Sequence, residues 1–145
     1  MLRGLTTVAY QADDLDAAAR WYAALLGVEP YYTRPWYVEF RIGDYQHELG
    51  IVNRANIGEL SADGSAAAPP SAPGGAIVYW HVDDIDAAIA TATSLGATVH
   101  QPPRDFGEGF IGASVIDPFG NILGMMVNPH YLEVHDALQG AATAG

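Results

Sequence analysis

An internal repeat is the feature that most constrains how this chain can fold. Residues 8–18 read VAYQADDLDAA and residues 78–88 read VYWHVDDIDAA, so the second copy begins seventy positions after the first. Each copy is followed by a helical stretch that ends in Leu-Gly, and later by a strand-like stretch. A long period that occurs twice indicates a duplicated supersecondary module, because a solenoid needs more copies of a shorter unit.

Both copies begin with a strand that runs directly into a helix. Residues 6–12 and 76–82 are rich in β-branched and aromatic side chains, which favour strands. Paired aspartates that can cap a helix come next, and apolar residues then recur at helical spacing until Gly27 or Gly96. Further strands are predicted at about 28–33, 36–43 and 46–53 in the first copy, and at about 97–101, 110–117 and 121–128 in the second. The pattern therefore predicts an α+β fold built from two βαβββ modules.

The length of 145 residues is typical of one compact domain. The stretch at 61–75 is small, polar and proline-rich, which indicates a solvated linker, either a plain connector or a lid. We predict a single domain over 1–135, a flexible tail over 136–145 and a mobile glycine-rich loop at 104–110. Within the domain we predict module one at about 5–58, the linker at about 59–75 and module two at about 76–131.

Composition and charge exclude several classes of function. The chain has 17 acidic and 6 basic residues, and its formal charge of -11 disfavours nucleic acid and anionic membranes as partners. It contains no cysteine and no lysine, which excludes disulfides, thiolate nucleophiles, Schiff-base catalysis and a phosphate-binding P-loop. No apolar run is long enough to span a membrane and no secretory signal is recognisable, so we expect a cytoplasmic protein. A neutral or cationic ligand is easier to accommodate than an anionic one.

A turn near the end of the second module supports a family resemblance. It reads DPFGN at 117–121 and is in register with the two helix starts at Asp14 and Asp84. Together with the paired βαβββ pattern, it resembles the vicinal oxygen chelate superfamily of glyoxalases, bleomycin resistance proteins and extradiol dioxygenases. The resemblance covers residues from about 5 to 131. It implies cupped mixed sheets around a shared cavity, with subunits that pair as homodimers.

The resemblance also implies where metal ligands would lie, in the first and last strand of each module. In this chain those positions hold Thr7 and Gly50 in module one, and Ile77 and Gly124 in module two. None offers the imidazole or carboxylate that divalent metals prefer. If the register of module one differs by two residues, Glu48 takes the place of Gly50. We therefore predict that the chain has neither a metal site nor a cofactor.

The same resemblance directs Gln11 and His81 into the cavity as a pseudo-symmetric polar pair. If the first and last strands of each module run parallel, Arg54 and Asn128 lie at about the same level. His81 is the candidate catalytic residue, because an imidazole can act as general acid or base near neutral pH. The alternative is a histidine that is hydrogen-bonded within the fold and does no chemistry.

Aromatic residues concentrate in the predicted strands and turns, where they can form a wall for a planar ligand. They are Tyr31, Tyr32, Trp36, Tyr37, Phe106 and Phe110. The predicted ligand-binding residues are Gln11, Glu48, Arg54, His81, Asn128 and Trp36.

The leading functional interpretation is metal-independent binding of a small organic molecule, such as a drug or metabolite that is sequestered. The alternative is an enzyme of the same superfamily, either of the lyase or isomerase type with His81 as acid or base, or metal-dependent through a displaced site. A dimerisation module without a pocket is a third possibility. The expected partners are a small organic ligand and a second copy of the chain.

Overall fold

The computed structural model describes residues 5–56, 73 and 76–143. Most of the predicted linker at 59–75 lies outside these residues. The chain divides into two compact units, Met1–Pro73 with Phe119–Asn121 and Gly74–Pro118 with Ile122–Gly145. In chain order the elements are β1 (Thr7–Ala12), α1 (Leu15–Leu26), β2 (Tyr32–Arg34), β3 (Tyr37–Ile42), β4 (His47–Asn53), β5 (Tyr79–His81), α2 (Ile85–Ser94), β6 (Thr98–Gly107), β7 (Phe110–Ile116), β8 (Ile122–Val127) and α3 (Pro129–Thr143).

The first unit forms one sheet in the order β1-β4-β3-β2, with α1 packed against it. Strands β1 and β4 run parallel, whereas β3 is antiparallel to both of its neighbours. Helix α1 begins where the Asp14 carboxylate accepts a hydrogen bond from Ala17 N at 2.8 Å. It ends at Gly27, whose φ of 68° lies in the left-handed region. This unit is a βαβββ module, as predicted.

The side of this sheet that lies against α1 holds the core of the unit. Because side chains alternate along a strand, Tyr10, Val38 and Ile51 share that side and are buried. The ring of Tyr10 lies 6.0 Å from that of Tyr22 in α1. The residues of opposite parity form what we call the face opposite α1. They are Thr7, Ala9 and Gln11 of β1, Glu48, Gly50 and Val52 of β4, and Tyr37, Glu39 and Arg41 of β3.

The second unit repeats this arrangement, with the strand order β5-β8-β7-β6 and α2 packed against the sheet. Strands β5 and β8 are parallel, and the Asp84 carboxylate accepts a hydrogen bond from Ala87 N at 2.9 Å at the start of α2. Alternation again separates the buried residues under α2 from what we call the face opposite α2. That face holds Tyr79 and His81 of β5, Gly124 and Met126 of β8, and Gly112 and Ser114 of β7. The two modules confirm the predicted α+β fold class.

The local structure differs from the prediction in several segments. The second strand of module one, predicted at about 28–33, is β2 at Tyr32–Arg34. Most of the predicted loop at 104–110 belongs to β6, and the chain reverses at Glu108–Gly109, where φ is positive. The prolines and glycines suggested a loop, but β6 is an edge strand whose irregular pairing accommodates them. In the predicted tail at 136–145, the described residues 136–143 belong to α3, whose C-terminal part is alanine-rich and so favours a helix.

Candidate functional site

Strand register in the first unit decides which residues lie side by side. Thr7 of β1 lies opposite Glu48 of β4, and Gln11 lies opposite Val52. The predicted parallel pairing is confirmed, but the predicted level of Arg54 is wrong, because Arg54 comes two residues after the partner of Gln11. Glu48, rather than Gly50, is therefore the neighbour of Thr7.

The second unit shows the same offset. Tyr79 of β5 lies opposite Gly124 of β8, and His81 lies opposite Met126. Asn128 comes two residues after the partner of His81, so its predicted level is also wrong. The physical reason is common to both units, because the sequence shows which strands pair but not which residues face one another across them.

A network of phenols and carboxylates lies on the face opposite α1. Thr7 Oγ1 donates a hydrogen bond to Glu48 Oε2 at 2.8 Å, and Tyr31 Oη donates to Glu48 Oε1 at 3.1 Å. The hydroxyls of Tyr31 and Tyr37 both donate to the carboxylate of Glu39. A phenol hydroxyl carries a single hydrogen, so Tyr31 can donate to Glu39 or to Glu48, but not to both at the same time. The network thereby links polar side chains of three strands, β1, β3 and β4, and of the loop before β2.

These contacts raise the pKa values of two phenols. The hydrogen bond to Glu39 is the main cause that raises the pKa of Tyr31 to about 12, and the Glu48 carboxylate adds to it. Burial is the main cause that raises the pKa of Tyr37, followed by its hydrogen bond to Glu39. In both cases ionisation would place a phenolate beside a carboxylate, which the negative charge of the carboxylate opposes.

We expect Tyr31 to ionise well above the ordinary phenol pKa of about 10, with a pKa of about 12. The contribution of its raised pKa to folding is complete below the unfolded pKa and is lost as pH rises through the folded value. An alkaline titration followed by the near-ultraviolet absorbance of tyrosinate measures this. In Glu39→Gln, we expect the late-ionising phenols to titrate earlier than in the parent chain. An unchanged titration curve in that variant would contradict the network.

Tyrosine rings occupy the space beside the two glycines that stand at predicted metal-ligand positions. A Cβ on Gly50 would lie 2.7 Å from Tyr37 Cε2, and a Cβ on Gly124 would lie 2.8 Å from Tyr79 Cδ1. The Cβ on Gly124 would also lie 2.7 Å from the backbone oxygen of Val78. A side chain therefore cannot project from Gly124 without movement of the backbone.

The residues present do not fit the metal ion that the family resemblance implies. Thr7, Gly50 and Gly124 lack a strong metal donor, and the Glu48 carboxylate already accepts hydrogen bonds from Thr7 and Tyr31. Within residues 5–56, 73 and 76–143, no three histidine, aspartate or glutamate side chains converge in a way that could hold a metal.

Gln11 and Arg54, which were predicted to bind ligand, both form hydrogen bonds with residues of the DPFGN turn. The backbone N of Gln11 donates to Asn121 Oδ1 at 3.0 Å, and Asn121 Nδ2 donates to the backbone oxygen of Gln11 at 2.9 Å. Arg54 Nη1 forms an ion pair with Asp13 at 2.6 Å, and Nη2 donates to the backbone oxygen of Phe119 at 3.1 Å. Arg54 therefore fixes the turn within the first unit, and the side chain of Gln11 takes no part in these two backbone bonds.

His81 and Asn128 are also brought together, in the second unit. His81 Nδ1 accepts a hydrogen bond from Asn128 N at 3.2 Å, and its ring stacks on Tyr131 with centroids 4.6 Å apart. Nε2 is buried without a hydrogen bond, although Asp83 Oδ1 lies 3.4 Å away, within ion-pair range. This environment is the one expected for a histidine that is hydrogen-bonded within the fold.

Trp36 lies in the turn before β3, and its ring is 5.7 Å from that of Tyr37. Two further aromatic side chains nearby, Tyr31 and Tyr32, are exposed by 44% and 40% and so can contact a ligand. The guanidinium of Arg41 lies 4.0 Å from the centre of the Tyr31 ring, which places a cation beside the network. Four of the six aromatic residues predicted to cluster, Tyr31, Tyr32, Trp36 and Tyr37, therefore lie together around β2 and β3. The other two, Phe106 and Phe110, lie in β6 and β7 of the second unit.

Sequence reasoning missed Glu39 and the roles of Thr7 and Tyr37. The available signal was strand alternation, because a strand at 37–42 places Tyr37 and Glu39 on one face. Tyr37 and Glu39 are linked to Glu48 because Tyr31 can donate to either glutamate. This link depends on the register of β3 and β4, which the sequence does not show.

Comparisons with known proteins give one family and a consistent fold. A family model described as the Glyoxalase/Bleomycin resistance protein/Dioxygenase superfamily matches residues 4–125. A search of curated proteins gives no match.

Three solved structures illustrate the similarity of fold. A glyoxalase-related enzyme from Fulvimarina pelagi is 21% identical, with a TM-score of 0.71 over 88% of this chain and 90% of the other. A lactoylglutathione lyase from Agrobacterium tumefaciens is 22% identical, with a TM-score of 0.66 over 87% and 94%. A glyoxalase/bleomycin resistance protein/dioxygenase from Nocardioides is 19% identical, with a TM-score of 0.66 over 87% and 83%. At these identities the similarity extends to the fold alone. In the part of the chain that the structure describes, no helix is long and apolar enough to cross a membrane.

Proposed function

Because this chain belongs to the glyoxalase/bleomycin resistance protein/dioxygenase superfamily, we propose that it binds a small organic molecule without a metal ion and sequesters it unchanged. The proposed binding surfaces are the face opposite α1 and the face opposite α2. The proposed partners are that small molecule and a second copy of the chain, in the cytoplasm. We further propose that the two units act as modules of a single domain over 1–135.

The occupied space beside Gly50 and Gly124 is the observation that carries this proposal. At both positions a tyrosine ring lies where a metal-ligating side chain would have to begin. Binding by aromatic rings and hydrogen bonds is the chemistry that such a surface offers in place of coordination. In metal-using members, catalysis usually comes from polarisation of the substrate by the metal. Among the residues that the structure describes, no group of side chains could hold such a metal.

The phenol and carboxylate network favours a neutral or cationic ligand. Glu39 and Glu48 lie within reach of the same phenol, and the formal charge of the whole chain is -11. Exposed Tyr31 and Tyr32 add aromatic surface beside the two carboxylates. A planar ligand with a hydrogen-bond donor or a positive charge matches these groups.

Sequestration is favoured over catalysis by the contacts of His81. A general acid or base must reach the substrate with a ring nitrogen. Nδ1 of His81 accepts a hydrogen bond from the backbone, and Nε2 is buried. We therefore assign His81 to the structure of the second unit rather than to chemistry.

Mass spectrometry of small molecules released from the natively purified protein tests the proposal. We expect one organic molecule per chain, recovered chemically unchanged when it is mixed with fresh protein. Conversion of that molecule into a product over many turnovers would contradict sequestration, and His81→Asn would then show whether the imidazole is required.

A pair of glutamate variants tests where the ligand binds. Glu48→Gln should weaken affinity for the recovered molecule by about tenfold, the effect expected when a hydrogen bond to a charged group is lost. Glu29 is exposed and follows α1, outside the proposed surfaces, so Glu29→Gln should bind like the parent chain. Calorimetric titration of the ligand-free protein gives both affinities, and equal loss in the two variants would contradict the assignment to the face opposite α1.

A further inference from the structure

The imidazole of His81 accepts a hydrogen bond from the residue that begins helix α3. The backbone N of Asn128 donates a hydrogen bond to His81 Nδ1 at 3.2 Å. Asn128 Oδ1 in turn accepts a hydrogen bond from Tyr131 N at 3.0 Å and so caps the first turn of α3. One residue therefore connects the ring of His81 to the start of a 15-residue helix.

Ring stacking strengthens this attachment. The rings of His81 and Tyr131 are 4.6 Å apart and inclined by 12°. The side chain of His81 is only 11% exposed. Helix α3 therefore covers the imidazole while the imidazole holds the N-terminus of the helix.

The hydrogen bond from Asn128 defines the protonation state of the ring. A nitrogen that accepts a hydrogen bond from a backbone N–H cannot itself carry a proton. His81 is therefore neutral in this arrangement, with its hydrogen on Nε2. That atom is buried without a hydrogen-bond partner, and Asp83 Oδ1 lies 3.4 Å from it.

Protonation of the ring at Nδ1 would break the hydrogen bond from Asn128. A hydrogen on Nδ1 would point at the N–H of Asn128, so that two donors would face each other. Asp83 is exposed by 97% and offers the charged ring a partner at the protein surface. We propose that His81 is a pH-sensitive latch that holds α3 in place when neutral and releases it when protonated.

The titratable groups described around His81 come from the segment before α2 and from α3. Asp83 precedes α2, and Tyr131 and His135 belong to α3. The ring of His135 stacks on the other end of this group, 6.4 Å from that of Tyr131, and lies 3.3 Å from Asp136. His135 is therefore a second imidazole that contacts the Tyr131 ring on α3, and the test has to separate it from His81.

Amide hydrogen exchange of α3 at two pH values tests the latch. Between about pH 8 and pH 5, on either side of the ordinary imidazole pKa, protection of α3 in the full-length parent chain should fall about tenfold, as expected for one lost hydrogen bond. Protection of β8, corrected for the intrinsic exchange rate, should change much less.

Matched variants identify the titrating group. His81→Asn keeps an acceptor oxygen near the place of Nδ1 and cannot be protonated, so its α3 protection should not depend on pH. His81→Phe keeps a ring against Tyr131 but has no acceptor, so α3 should be weakly protected at both pH values. His135→Asn should retain the pH dependence of the parent chain.

Three results would overturn the latch. One is a parent chain in which α3 protection is independent of pH, and another is a pH dependence that survives in His81→Asn. Loss of the pH dependence in His135→Asn is a third result that would overturn it. If the His81 variants fail to fold, the imidazole nitrogen shifts of the parent chain decide the question instead. At neutral pH they must show an unprotonated Nδ1, and a protonated Nδ1 would refute the proposal. The inference does not depend on the proposed binding function.

Discussion

Replacing Gly124 by alanine is expected to lower the free energy of unfolding by about 3 kcal/mol, at the upper end of the usual effect of overpacking. The added Cβ would lie 2.7 Å from the backbone oxygen of Val78, a contact that a change of rotamer cannot relieve. It would also lie 2.8 Å from Tyr79 Cδ1. Strands β5 and β8 pair through these residues, so the two strands must separate locally. Urea unfolding measured by fluorescence gives the change.

A second glycine supplies the control for this prediction. Gly140 lies in α3, and a Cβ there would meet nothing within 4 Å. Gly140→Ala should therefore leave stability unchanged or raise it by about 0.5–1 kcal/mol, because alanine favours the helix. If Gly124→Ala is as stable as the parent chain, the space beside Gly124 is open. The argument that a ligating side chain cannot fit at this position would then fail.

Asn121→Ala is expected to cost about 2–4 kcal/mol, since it leaves two backbone groups of a strand without their partners. The amide of Asn121 bonds both the N and the O of Gln11, at 3.0 Å and 2.9 Å. In this way one side chain takes the place of a neighbouring strand along the free edge of β1. Unfolding in urea and hydrogen exchange at the amide of Gln11 measure the loss.

Two further substitutions test whether the loss in Asn121→Ala comes from its two hydrogen bonds to the backbone of Gln11. Asn121→Asp keeps the acceptor for Gln11 N but loses the donor, so its stability should fall between those of the parent chain and Asn121→Ala. Gln11→Ala should change stability by less than about 0.5 kcal/mol, as expected for a surface position, because only the backbone of Gln11 makes these bonds. A large loss in Gln11→Ala would mean that its side chain stabilises the fold.

The helix starts were predictable because their signals are local. The carboxylates of Asp14 and Asp84 each bond a backbone N–H three residues later, and this capping depends on neighbouring residues only. The end of α1 at Gly27 follows equally from the left-handed conformation that glycine adopts readily. The βαβββ order followed from these signals and from the repeat. The helical extent of α3 was missed because its apolar residues do not follow one clear stripe.

The candidate site was only partly predictable because it depends on contacts between strands. The sequence predicted Glu48 and the aromatic residues as separate candidates for ligand contact, and it placed Thr7 level with Gly50 rather than with Glu48. In the structure, Thr7 pairs with Glu48 across β1 and β4. The conformation of the Tyr37 side chain then places its ring in the space beside Gly50. Neither is encoded by the periodicity of a single strand.

The polar residues predicted to line a pocket illustrate the same limit. Arg54 binds Asp13 and the DPFGN turn, whereas Asn128 caps α3 and holds His81. Both are polar side chains beyond the end of a strand, and the sequence does not distinguish a residue that contacts ligand from one that stabilises a turn or a helix start.

The metal content of the natively purified protein shows whether ligand binding is independent of metal. Elemental analysis and native mass spectrometry should find no divalent metal at one equivalent per chain, and the bound organic molecule should remain after treatment with a chelator. Affinity for that molecule should be the same with and without added divalent metal. A tightly bound divalent ion at one equivalent, whose removal abolishes ligand binding, would contradict metal-independent sequestration.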